Sequence, residues 1–341
     1  KTMTWFYYLF TFGLTVGLRP HRRVLPSMTS VAPVGGVTLI GVAADSGCGK
    51  STFMRRLTGI FGGENVGLLG GGLDKGGWET NTLISESTTV ICLDDYHIND
   101  REGRKLTQRT ALDTQENDFD LMYEHLKSLK NGNTIQKPIY NHVNGTLDSP
   151  EEITPTPIVI VEGLHPMVDE RVRDLLDFSI YLDITDNVKF DWKMEQDTSE
   201  RAHVAETIQN SIDARKPDFD KYVAPQKQYA DIVIQVLPTD LVPEGVSGDA
   251  LKVRLIQSAT KELFDPVYLF DEGSSVDWVP CGTKLECRYP GLTMSYRPDY
   301  FMGNSVYVLE MDGGFVNTHE LVYVESYLSN TATKFFGELT H

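Results

Sequence analysis

The sequence predicts an α/β fold: a doubly wound, mostly parallel sheet followed by a β-rich C-terminal part. Three observations predict it. Apolar runs recur between segments of helical period. The first run leads directly into a glycine-bracketed lysine, "GVAADSGCGKST" (41–52). Beyond about residue 250, short alternating runs and turn residues replace helical periodicity.

The runs are "VTLIGVAA" (37–44), "TTVICLDD" (88–95), "PIVIVEGL" (157–164), "FSIYLDI" (178–184) and "DIVIQVLP" (231–238). Near-continuous Val, Ile and Leu suit strands covered on both faces, as in a parallel sheet. Phe53, Leu57 and Phe61 share one helix face. Phe119, Met122, Leu126 and Leu129 keep a helical period that Gly132 stops. Strand–helix alternation of this kind reads as a doubly wound sheet. "GGLDKGGWETN" (71–81) reads as a Gly-rich loop and "EGVSGD" (244–249) as a linker. "SVYVLEM" (305–311) and "ELVYVESYL" (320–328) read as strands of the last part. The expected divisions are a targeting segment over 1–33, a nucleotide-binding domain over 34–243 and a β-rich regulatory or dimer part over 250–341. In the first, "TWFYYLFTFGLTVGL" (4–18) is uncharged and apolar but short of the about 20 residues a bilayer span needs. It matches a signal-peptide hydrophobic region, and "RPHRRVLPSMTS" carries Arg and Ser without acid, as a transit peptide does.

The 341 residues carry a formal net charge of −17. That field repels nucleic acid and anionic membrane, so neither is an expected partner of the mature chain, and an anionic substrate must meet local basic patches. Four cysteines are too few for a disulfide scaffold of this size. They fall as Cys48 and Cys92, then Cys281 and Cys287. A bridge among them would switch something more readily than hold the fold.

Strand 37–44 followed by "ADSGCGKS" and a helix opening at Lys50 is the context a Walker A motif requires, here with Ala44 in place of the usual first Gly. Gly47 and Gly49 let backbone N–H groups of Asp45, Ser46, Cys48 and their neighbours turn inward around phosphate, and the helix N-terminus adds partial positive charge. Lys50 neutralises the β- and γ-phosphates, Ser51 is placed to ligate Mg²⁺, and Thr52 completes the motif. The fold is therefore a P-loop type, and the motif implies a nucleotide without fixing the reaction. No base-reading Asn/Thr-Lys-x-Asp of a GTPase follows a strand. Glu162 ends the third long run, where a Mg²⁺-organising acid belongs.

"CLDDYHINDREGR" (92–104) supplies the acceptor side. Acids at the carboxyl end of a parallel strand lie at the ligand edge of such a sheet. Asp94 is the candidate base for an alcohol acceptor and Asp95 its reserve, with one of the pair expected to serve as a helix cap. His97, Arg101 and Arg104 beside them suggest an acceptor that is itself anionic. Lys193, Asp197 and Arg201 share one helix face, which by spacing alone reads as a surface salt-bridge ladder. "KPIYNH" (137–142) offers Tyr140 and His142. Arg215 and Lys216 precede Pro217, suiting either a phosphate-covering lid or a helix end.

Long runs of the chain resemble the plant and algal phosphoribulokinase family: "GVAADSGCGKSTFMRRLTGIFGG", "TTVICLDDYH", "ENDFDLMYEHLKSLKNG", "KPIYNHVNGTLD", "VIVEGLHPM", "ARKPDFDKY" and "PVYLFDEGSSVDWVPCG" among them. The resemblance spans about residue 37 to the end. It implies ATP- and Mg²⁺-dependent phosphorylation of ribulose 5-phosphate in the Calvin cycle. It places the base at Asp94, the Walker lysine and serine at Lys50 and Ser51, and the strand-borne acid at Glu162. Sugar-phosphate contacts fall on His97, Arg101, Lys193 and Arg201, with a further functional acid at Asp197 and a lid arginine at Arg215. This reverses the salt-bridge reading of 193, 197 and 201. One departure is Gln196, where the family commonly has Arg. The resemblance also implies thioredoxin-reducible disulfides, Cys48 with Cys92 and Cys281 with Cys287. It implies a homodimer in the plastid stroma, and docking when oxidised with glyceraldehyde-3-phosphate dehydrogenase through a small disordered linker protein. The rivals are a uridine-type nucleoside kinase, which needs no cationic cluster for an acceptor phosphate, and a chain surviving only as that binding partner.

Overall fold

The computed structural model describes residues 36–50, 53–54, 57–58, 67–69, 82–84, 87–141, 144–192, 205–240, 250–259 and 292–314. The targeting segment, the Gly-rich loop, the linker and the run 320–328 lie outside them. The described residues belong to two compact units, one drawn from 36–182 and 205–230, the other from 183–192 and from 231 onward.

The first unit contains β1 (Thr38–Ala44), β2 (Gly67–Leu69), β3 (Thr82–Ile84), β4 (Thr88–Cys92), β5 (Ile135–Asn141), β6 (Thr146–Ile153), β7 (Ile158–Gly163) and β8 (Phe178–Ile184). Its main sheet has the order β8-β1-β7-β4-β3-β2. β1 pairs in parallel with β7 and β8, and β4 in parallel with β7. β2 and β3 add an antiparallel edge. In β1, Leu39 to Ala44 are all buried, as the continuous apolar run requires of a strand covered on both faces. β5 and β6 form a separate hairpin.

The described helices include α1 (Arg101–Thr107), α2 (Phe119–Lys130), α3 (Glu170–Arg173) and α4 (Ala205–Asp218). Asp118 caps α2 by accepting from the Leu121 N–H at 2.9 Å, and the chain leaves through Gly132 at φ 80°. Met122, Leu126 and Leu129 on its inner face pack with Leu39, Ile91, Val159 and Val161 of the sheet. Truncating a fully buried leucine such as Leu126 to Ala costs about 2–5 kcal/mol. α4 runs through Pro217, which lacks the donor for a regular bond, and a π turn over Phe219–Val223 follows.

The second unit contains β9 (Ile232–Pro238), β10 (Ala250–Ser258), β11 (Leu292–Phe301) and β12 (Asn304–Gly314) in the order β11-β12-β10-β9. All three ladders are antiparallel. The β-rich character expected of the C-terminal part is present, and "SVYVLEM" lies in β12. The fifth apolar run is β9, and its ladder with β10 is antiparallel. Apolar continuity reports burial on two faces and carries no information on strand direction, which the connection decides.

Candidate active site

β1, β7 and β4 lie side by side in parallel, so their carboxyl ends open at one edge. Val42 and Cys92 both sit in register with Glu162. The turn after β1, Glu162 at the end of β7 and the acids after β4 are thereby brought together, although they are far apart in sequence. This is the ligand edge of such a sheet.

After β1, Gly47 and Gly49 take φ values of 76° and 75°, which a residue with a Cβ adopts rarely. Cys48 is buried, and its thiol donates to the Asp45 carbonyl at 2.8 Å. Asp45 Oδ1 accepts from the Ser46 N–H at 2.7 Å and from Arg215 Nη2 at 3.2 Å. The arginine expected in a lid thus reaches the phosphate loop. The helix opens at Lys50, and Phe53, Met54 and Leu57 beneath it are buried.

The Lys50 ammonium pairs with Glu162. Burial alone would lower the lysine pKa, but Glu162, Cys92 and Asp94 outweigh it and hold Lys50 protonated. Burial pushes Glu162 up, Lys50 pulls it back, and Asp94 pushes it up again. Burial, then Glu162 and Asp94, push the Cys92 thiol well up against the pull of Lys50.

β4 ends in a single turn of 3₁₀ helix, Leu93–Tyr96, which separates the two acids. Asp94 is half-buried. Asp95 is only 2% exposed, pairs with the Lys137 ammonium, and accepts from the Tyr140 N–H at 2.8 Å. Lys137 also meets Glu151 at 3.0 Å. Asp95 therefore serves structure, which leaves Asp94 as the better placed base; the partner is a buried lysine in place of the expected helix cap.

The cationic segment follows. His97 is buried and meets the Tyr140 ring edge-on, centroids 5.2 Å apart. Arg104 Nη2 donates to Tyr140 Oη at 2.5 Å, with its guanidinium 4.8 Å from the ring centroid. Asp100 caps α1 by accepting from the Gly103 N–H at 2.7 Å, and Arg101 opens that helix. His97, Arg104 and Tyr140 are thus brought together in the segment that follows Asp94 and Asp95, and Arg101 opens the helix there. Ser51, Thr52, His142, Lys193, Gln196, Asp197, Arg201, Cys281 and Cys287 lie outside the described residues.

Two residues without an assigned role in the sequence reading sit here. Lys137 opens "KPIYNH" and looks like a surface lysine until its burial is known. His165 lies just beyond Glu162 and is 2% exposed; its only signal in sequence is its place after a strand-end Gly. Burial lowers its pKa from 6.5 to about 4, Asp94 opposing and His97 adding to the shift. His165 is therefore neutral at pH 7. Between pH 6.5 and 4 the unfolded chain binds a proton there that the folded chain refuses, so stability falls as pH falls. The expected loss is about 3 kcal/mol. Urea unfolding at pH 7 and pH 4 should show a steeper loss in the wild type than in His165→Asn, and equal slopes would refute the assignment.

Residues 39–243 match the Phosphoribulokinase / Uridine kinase family. A chloroplastic phosphoribulokinase of Mesembryanthemum crystallinum is 61% identical over 313 residues, 92% of this chain and 78% of that protein. One of Chlamydomonas reinhardtii is 58% identical over 319 residues, 94% of this chain and 84% of that protein. A uridine kinase of Borrelia turicatae is 30% identical over 215 residues, 62% of this chain and 89% of that protein. A solved phosphoribulokinase from Rhodobacter spheroides has the same fold, with a TM-score of 0.51 at 15% identity over 87% of this chain and 99% of that one. With a phosphate loop, a strand-borne acid and a candidate base at one sheet edge, and with relatives alike over nearly its whole length, the chain belongs to the Phosphoribulokinase / Uridine kinase family.

Proposed function

We propose that the chain transfers the γ-phosphoryl group of ATP to a hydroxyl of ribulose 5-phosphate, giving ribulose 1,5-bisphosphate and ADP in the Calvin cycle. The observation that carries this reading is the joining of Lys50, Glu162 and Asp94 at one sheet edge, with His97, Arg101 and Arg104 in the segment that follows Asp94 in the chain. Asp94 takes the hydroxyl proton as the new O–P bond forms and the bond to the β–γ bridging oxygen breaks. Lys50 neutralises the β- and γ-phosphates, and Arg215 closes over the loop that holds them. The cationic segment, with Tyr140, His142, Lys193, Asp197 and Arg201, takes the acceptor and its phosphate. Asp94 lies close enough to Glu162 to push its carboxyl up. Such a pair of hard oxygen donors fits Mg²⁺, which Glu162 and the Ser51 hydroxyl would hold and which would neutralise phosphate charge. A uridine acceptor has no phosphate for those cations to meet. The 56–61% identity to phosphoribulokinases of plants, an alga and a cyanobacterium supports the sugar phosphate over uridine.

The same reading includes thiol control in a plastid stroma. Cys48 and Cys92 are both buried and not joined in a disulfide, one in the phosphate loop and one at the end of the strand that leads to Asp94. A bridge between them would tie the ATP loop to the acceptor segment and distort both, so thioredoxin-type reduction restores activity. Burial keeps Cys92 as the thiol. A second pair, Cys281 with Cys287, a homodimer, and an oxidised complex with glyceraldehyde-3-phosphate dehydrogenase through a disordered linker protein complete the proposal. A coupled ADP-release assay with ribulose 5-phosphate and with uridine, with and without dithiothreitol, tests it. Turnover should require ribulose 5-phosphate and reductant, and Cys92→Ser should be active without reductant. Turnover of uridine alone would overturn the substrate, and full activity with the bridge confirmed by mass spectrometry would overturn the switch.

A further inference from the structure

The hairpin β5–β6 is tied to the acceptor segment along β5 and at its tip. Along β5, Asp95 holds the Tyr140 N–H and the Lys137 ammonium. At its tip, the Arg101 N–H donates to the Gly145 carbonyl at 2.8 Å. Between them, Tyr140 meets His97 and Arg104. The hairpin is therefore a wall against which the cations of the acceptor segment are laid.

Gly145 is the point of closest approach. It is buried and takes φ 77°, where a side chain is strained. A Cβ at this position would lie 2.7 Å from Arg101 Cβ and Nε and 2.9 Å from its Cζ. Those distances cannot be met by moving only the tip of the arginine, because its own Cβ is among the atoms struck. The side chain must leave the hairpin, or the N–H to carbonyl bond beside it must break. The Arg101 side chain thus crosses a surface that only glycine leaves open.

We propose that Gly145 is a positioning residue for the acceptor phosphate: the bare backbone of the hairpin tip is the floor that sets the Arg101 guanidinium, and through it the affinity for the phosphorylated acceptor. The inference rests on the reading of Arg101 as a phosphate contact. A glycine needed only for the turn would act on stability or on both substrates alike. Fixing one rotamer-rich side chain lowers the ordering cost that the acceptor must otherwise meet on binding.

The test is steady-state kinetics of Gly145→Ala, Gly145→Asn, Arg101→Ala and Gly145→Ala/Arg101→Ala, each with a thermal melt. Asn tolerates positive φ but still carries the Cβ, so it separates backbone strain from the clash. Both Gly145 variants should raise the KM for ribulose 5-phosphate about ten-fold, the effect expected from losing a charge-assisted hydrogen bond. The KM for ATP should stay unchanged, and the double variant should be no worse than Arg101→Ala alone. If Arg101→Ala raises the sugar-phosphate KM and neither Gly145 variant does, the inference is wrong and the phosphate reading stands. If Arg101→Ala leaves that KM unchanged, the phosphate reading fails and the inference falls with it. Recovery of affinity in Gly145→Asn, additivity in the double variant, or equal rises in both KM values would each assign Gly145 to the turn alone.

Discussion

Asp94→Asn should lower kcat by about 10²- to 10⁴-fold, the range that removal of a general base produces. The substitution keeps the shape of the side chain and removes its capacity to take a proton. Asp94 stands near the start of the 3₁₀ turn that follows β4, half-buried and near enough to Lys50 and Glu162 to shift both. Removing its charge takes away one of the acids that hold Lys50 protonated, but Glu162 remains as the salt-bridge partner. ATP affinity measured by titration calorimetry should therefore change little while turnover collapses. Asp95 cannot substitute, because its two oxygens are engaged by Lys137 and the Tyr140 N–H. Turnover within a few-fold of wild type in Asp94→Asn would end the assignment of Asp94 as base.

Lys137→Met should destabilise the fold by about 3–5 kcal/mol, the cost of leaving a buried ion pair without one partner. Methionine keeps the length and apolar stem of lysine, so packing is largely preserved. The loss falls on Asp95, which is 2% exposed and already pushed up by burial. Without the ammonium, its folded-state pKa rises further above the unfolded value. A group shifted in that direction binds its proton more tightly when folded, so the penalty is absent at low pH and grows as pH rises through the carboxylate range. Urea unfolding of Lys137→Met and wild type at pH 4 and pH 7 should show the larger gap at pH 7. A gap of under about 1 kcal/mol at pH 7 would mean that water and the Tyr140 N–H already satisfy Asp95, since median exposed pairs contribute no more than that.

The phosphate loop, the strands that flank it and helix α2 were legible because each obeys a local rule. Continuous apolar residues need cover on two faces, a helical period needs one buried face, and phosphate needs glycines before a helix N-terminus. Glu162 and the pair Asp94–Asp95 were legible as candidates for the same reason: they end buried runs, and the ligand edge of a parallel sheet lies there. The family resemblance added residues on the face 193–201 that spacing alone assigned to a solvated ladder.

What the sequence by itself determined is which segments could be buried strands, where phosphate could be gripped and which residues were candidates for chemistry. Only the tertiary structure decided that Asp95 is engaged, because its partners Lys137 and Tyr140 lie in β5, far along the chain. It alone placed Glu162 against Lys50, buried His165, turned β9 antiparallel to β10 and laid Arg101 across Gly145. The physical reason is common to all of these. Burial and charge pairing are set by groups that meet through space, and a lysine, a histidine or a glycine has the same local propensity whether its neighbour in the fold is water, a carboxylate or an arginine.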